Sequence, residues 1–140
     1  MISIIIEAAE NFLRNQIELK THIEKTTNKM RTVIASIDVK MDDGEDKTVY
    51  LGFSEELIKE IISVYLMENN PDEETMRDMA LESTNMIVGS AKVLAEEAEK
   101  DHFVISTPKF KAIEEFETCT CDELSVLQTS KNALLIAIKT

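Results

Sequence analysis

Glycine, proline, cysteine and positive charge are all scarce in this chain. Its 140 residues hold three glycines, two prolines, two cysteines and no tryptophan, and 15 Lys and Arg stand against 27 Asp and Glu. The resulting formal charge of −12 excludes the commonest nucleic-acid and anionic-membrane readings, which need a basic face. No apolar run approaches the ~20 residues that span a bilayer. The opening Met1-Ile2-Ser3-Ile4-Ile5-Ile6 is broken by Glu7 and Glu10 and has no basic stretch, so it does not read as a secretory signal. Cys119 and Cys121 are one residue apart, too close for a structural staple and too few for a disulfide scaffold. A reducing cytoplasm is the expected location, with packing as the expected role of both thiols. Neither a GxxxxGK(S/T) nor a GxGxxG phosphate loop occurs. His22 and His102 stand alone, so no metal set is expected.

What is present is an ordinary core-forming fraction, 44% hydrophobic, too much for a disordered acidic tail and enough for one domain over residues 1–140. Ile2, Ile5, Ile6, Ala9, Phe12 and Leu13 share a helical stripe, which predicts an amphipathic helix from Ser3, as N-cap, to about Leu19. Lys20 to Lys29 is polar and ambiguous. Val33, Ala35, Ile37 and Val39 alternate with polar neighbours. After the turn chemistry of Met41 to Glu45, Val49, Leu51 and Phe53 resume the period, which predicts a β-hairpin. Ser54 followed by Glu55 and Glu56 starts a helix that stops before Pro71, and Asp72 caps a long helix from Glu73 to about Lys100. Strands are expected at His102 to Thr107, Ala112 to Cys121, Leu124 to Thr129 and Ala133 to Lys139. The last is apolar on both faces and so central in a covered sheet. Strands in hairpins with helices grouped between them predict an α+β protein: two layers, an antiparallel sheet packed with the long helix and additional helices.

On a helical wheel of the long segment, Ala80, Ile87, Ala91, Leu94 and Ala98 form the side expected to be buried. Asp78, Glu82, Asn85, Gly89 and Glu96 fall opposite, with Lys92 on one border and Met86 and Val93 on the other. Most outward Glu and Asn residues merely solvate a surface. Here, however, a mid-helix Gly, costing roughly 1 kcal/mol against Ala, sits on the same line as a mediocre helix former. Gly89 would let another molecule approach the backbone beside Glu82 and Asn85, and Met86 offers an adaptable apolar contact there.

Asp78-Met-Ala-Leu-Glu82-Ser-Thr-Asn85, followed by twenty-two residues and Pro108, resembles the Asp/Ser-x3-Glu-x2-Asn-x22-Pro signature of the CheC/CheX/FliY phosphatases of bacterial chemotaxis. Glu82–Asn85 is the sole Glu with Asn three residues on, and a single motif is similar to CheX, where CheC-like members carry two. The order of elements agrees over well over half of the chain.

The resemblance implies a substrate, the phosphorylated aspartate of a CheY-like receiver domain, which supplies its own Mg²⁺ and lysine, so no cofactor of the chain's own is implied. Asn85 would orient the attacking water and Glu82 would pair with the receiver's cation. Partner contacts would come from Asp78, Met86, Gly89 and Lys92, with Asp78 either a rim contact or a solubilising charge. Pro108 would end a strand beside the site. A non-catalytic module holding a receiver or flagellar component through the same face is the alternative. Two acidic surfaces should associate slowly unless Lys92 and Lys109 sit near the contact. A homodimer through the Ala112 to Cys121 edge is also implied.

Overall fold

A computed structural model describes residues 1–25, 29–116 and 121–140. Among these residues, seven strands and three α-helices follow in the order α1 (Ile2–Asn11), β1 (His22–Glu24), β2 (Arg31–Met41), β3 (Asp46–Ser54), α2 (Glu55–Leu66), α3 (Glu73–Glu97), β4 (Phe103–Ile105), β5 (Lys109–Glu115), β6 (Glu123–Gln128) and β7 (Ala133–Lys139). The strands form one antiparallel sheet in the order β1-β6-β7-β3-β2-β4, with β5 pairing β2 beside β4. The α+β architecture is the expected one.

The β2–β3 hairpin holds the register that the alternation requires. Val33 faces Phe53, Ala35 faces Leu51 and Ile37 faces Val49, so one apolar face meets the helices. With Leu134, Ile136 and Ile138 of β7, the residues Val33, Ile37, Val49, Leu51 and Phe53 form the main core, closed by Ile4, Ile5, Leu13, Leu57, Ile58, Ile61, Ile62, Ile87 and Ala91 from the helical layer. β7 lies between β6 and β3 and is buried from Ala133 through Ile138, the central strand its two-sided apolarity requires. A smaller apolar cluster on Val126, Ala133 and Leu135 is covered by Met30, Phe116 and Leu124. The Phe116 ring sits so close over Gly52 that a Cβ there would lie 2.6 Å from it.

Several expected boundaries move. Ser3 lies inside α1, whose N-cap is Met1 without a side-chain bond. The helix does not continue regularly to Leu19. It widens into a π-type turn at Phe12–Gln16, where Phe12 stacks on Tyr65 of α2 at 6.5 Å, and ends with Glu18 at φ 63°. β1 emerges from the ambiguous stretch after it, positioned by pairing with β6. Ser54 stands at the N-cap of α2 but makes no cap bond. Its hydroxyl instead accepts from the Ala133 N–H at 3.2 Å, tying the helix start to β7. α3 ends at Glu97, with Glu99 and Asp101 turning the chain at positive φ. The strand expected at His102 to Thr107 is confined to Phe103–Ile105, and the one expected at Ala112 to Cys121 starts earlier, at Lys109, and ends at Glu115. Cys119 lies outside the described residues.

Candidate functional site

The site begins with the cap of α3. The Asp72 carboxylate accepts the Thr75 N–H at 2.9 Å, and this bond holds the carboxyl below its ordinary pKa. Glu73 and Glu74 add negative charge in the first turn, where the helix dipole favours it. The inner face buries Met76, Met79, Ala80, Ser83, Thr84, Ile87, Val88, Ala91 and Ala95. Leu94 is only half-buried and Ala98 is exposed, a correction to the wheel. The buried stripe drifts toward Val88 and Ala95, because α3 packs on α1 and α2 as well as on β2.

That burial turns Asp78, Glu82 and Asn85 outward, and all three are exposed. They line one wall of an open cleft of about 510 Å³ together with Leu81, and the opposite wall is Ile105, Ser106, Thr107 and Pro108. Among the described residues, no hydrogen bond or ion pair ties the side chains of Glu82, Asn85 or Asp78 to another group of the chain. A carboxylate and a carboxamide less than one turn apart are therefore presented unpaired to whatever enters. The carboxamide can accept and donate at once, and the carboxylate can only accept.

The opposite wall is held from behind. Ser106 is hydrogen-bonded to the backbone of Asp38 on β2, and Val39 pairs with Ile105. The Asp38 carboxylate takes Thr48 Oγ1 at 2.9 Å and Lys109 Nζ at 3.7 Å. Pro108, half-buried, stands where the chain leaves β4 and re-enters the edge of β2 as β5, a place where a missing N–H costs no ladder bond. Strand β4 ends three residues before it, at Ile105.

The remaining predicted contacts fall outside the cleft. Met86 is half-buried against the main core. Gly89 lies one turn beyond Asn85, and a Cβ built on it meets nothing within 4 Å, so packing does not require glycine there. Lys92 is roughly 10 Å along the helix from Asn85 and pairs with Glu96 at 3.9 Å. Two residues at the cleft carry no mark in the sequence: Arg77, whose guanidinium lies 5.7 Å from the centre of the Phe110 ring, and Ser106. In both cases the partner is distant in sequence, and nothing local marks the residue. Among the described residues, no three His, Cys, Asp or Glu side chains gather as a metal site, and no helix is long and apolar enough to cross a membrane.

The family model described as chemotaxis phosphatase CheX matches residues 33–130. Among solved structures, the chemotaxis protein CheX of Vibrio vulnificus shares 20% identity at a TM-score of 0.77, over 99% of this chain and 97% of that one. A CheX of Desulfovibrio desulfuricans shares 16% at 0.76, over 97% and 95%. The Borrelia burgdorferi CheX–CheY–BeF₃–Mg²⁺ complex matches at 16% and 0.63, over 99% and 97%. No protein of curated function matches the chain.

Proposed function

The chain belongs to the CheX family of chemotaxis phosphatases, and from that footing we propose that it hydrolyses the phosphoaspartate of a CheY-like receiver domain, with Asn85 and Glu82 inserted into the receiver's site. The observation that carries this reading is the outward, unpaired Glu82–Asn85 pair facing an open cleft. An open cleft with protruding polar groups suits a protein surface, and the relative crystallised with CheY is named as such a complex.

The chemistry asks little of this chain. A water attacks phosphorus in line, the bond from phosphorus to the aspartyl oxygen breaks, and inorganic phosphate leaves a free carboxylate. Through a loose transition state, positioning and electrostatics supply most of the acceleration. Asn85 accepts a hydrogen bond from the water through its amide oxygen and donates one through its nitrogen to a phosphoryl oxygen. A carboxylate in its place would meet the phosphoryl dianion with repulsion. Glu82, one turn back, pairs with the receiver's cation and sets the register of docking. The receiver brings the Mg²⁺, and this chain contributes no cofactor.

Asp78 and Pro108 line the contact, Gly89 allows close backbone approach, and Met86 and Lys92 lie at its margin. The protein acts in the cytoplasm as a CheX-like domain over residues 1–140. It pairs as a homodimer through the outer edge of β5, and a monomeric mass by light scattering at micromolar concentration would remove that pairing. The deciding experiment charges a receiver with acetyl phosphate and follows its decay. Wild type accelerates decay, and Asn85→Ala abolishes the acceleration while receiver binding survives. Binding without any acceleration by wild type would leave only a receiver-holding module.

A further inference from the structure

The two walls of the cleft converge at one end. The helix wall continues from Leu81 back one turn to Arg77, and the opposite wall continues from Pro108 to Phe110. There the Arg77 guanidinium lies over the Phe110 ring, 5.7 Å from its centre, so a cation resting on an aromatic face closes the cleft. Such a face holds the guanidinium without using its N–H donors.

Charge around that end is unequal. Glu73, placed one turn before Arg77 where it would be an ordinary helical partner, instead lies 3.9 Å from Arg31. Lys109 is drawn to Asp38 and Lys92 to Glu96. Among the described residues, no carboxylate pairs with Arg77. In a chain of net charge −12, an uncompensated guanidinium at the mouth of an acidic cleft stands out.

We infer that Arg77 is the docking cation of this site: it takes a carboxylate on the receiver's surface and so selects which receiver seats productively. The inference rests on the phosphatase reading above. Arg77 precedes Asn85 by eight residues, about 12 Å along the helix, so it does not touch the phosphoryl group that Asn85 addresses. The group it takes is an acidic side chain about 12 Å from the phosphoaspartate, bound two-pronged by the planar fork as a lysine could not. Phe110 is a positioning residue that presents the fork.

The test is steady-state dephosphorylation of a phosphorylated receiver by the full chain, with melting temperatures as a control. Arg77→Met keeps the aliphatic packing on Phe110 and removes the charge. It is expected to raise KM about tenfold with kcat within about twofold of wild type. Arg77→Lys restores charge without the fork and falls between. Asn85→Ala shows the reverse pattern, a lost kcat with KM nearly kept. A wild-type KM for Arg77→Met, or a fall confined to kcat, overturns the role of Arg77 while leaving the phosphatase reading intact. A wild-type chain that neither binds nor accelerates overturns both.

Discussion

Ser106 clasps Asp38 by three hydrogen bonds. The Ser106 N–H donates to the Asp38 carbonyl at 3.0 Å, the Ser106 hydroxyl donates to the same carbonyl at 3.1 Å, and the Asp38 N–H donates to Ser106 Oγ at 3.2 Å. The clasp replaces regular strand pairing just where the chain bends away toward Pro108, and so fixes the wall that faces Glu82 and Asn85. Ser106→Ala keeps one of the three bonds. It should cost about 0.5–1.5 kcal/mol in denaturant unfolding and slow receiver dephosphorylation about 3- to 10-fold, because a shifted wall misplaces the docked site.

The two residues of the pair should separate kinetically. Asn85→Asp is nearly isosteric but puts a negative charge beside the phosphoryl group and should be as inactive as Asn85→Ala. Glu82→Gln removes the ion and should weaken receiver binding more than it slows the bound step. Titration of receiver affinity alongside single-turnover phosphate release distinguishes the two losses.

Gly89 and Gly52 predict opposite outcomes for one substitution. At Gly89 a methyl group meets open space, so Gly89→Ala should stabilise α3 by about 0.5–1 kcal/mol while weakening receiver association, if the partner backbone approaches there as proposed. At Gly52 the new Cβ would meet the Phe116 ring at 2.6 Å and Thr32 Oγ1 at 3.3 Å, and Gly52→Ala should destabilise by about 1–3 kcal/mol. Chemical denaturation reads both.

The cap of α3 makes an acid-sensitive contribution. Hydrogen bonds from Thr75 hold the Asp72 carboxyl below its ordinary pKa. A lowered folded-state pKa means that the stabilisation is fully present above the unfolded value, about 3.9, and is lost as pH falls through the folded one. Asp122, held down by the backbone and hydroxyl of Thr140, acts with the same sign. Asp72→Asn keeps an acceptor and should flatten the melting temperature profile below about pH 4. Asp72→Ala should lower it by a few degrees near neutral pH, a deficit that shrinks in acid as the wild-type carboxyl is protonated.

Much of this was legible locally. The period-two residues of β2 and β3, the Asp72–Thr75 cap and the Glu82–Asn85 spacing depend on neighbours a few residues away, and the structure places them as expected. What escaped depends on distant chain. In Glu82-Ser83-Thr84-Asn85 all four side chains are polar, yet Ser83 and Thr84 are fully buried with their hydroxyls unpartnered. Only the helix phase against α1 and β2 decides that. The π-type turn after α1 coincides with the stacking of Phe12 on Tyr65, and β1 carries no apolar alternation because all three of its residues are exposed. Arg77 looks ordinary until Phe110 is folded beneath it.

The interval between Asn85 and Pro108 works as a ruler. From Asn85 to the helix end at Glu97 the chain travels about 18 Å at 1.5 Å per residue. After a short reversal, the return from Phe103 to Pro108 in near-extended form spans about 17 Å at ~3.3 Å per residue. Outbound coil and homeward ribbon match in length, so the proline is delivered back abreast of the amide. One residue added to the outbound leg would also rotate it by a quarter-turn or so, and the two sides of the cleft would no longer meet in phase.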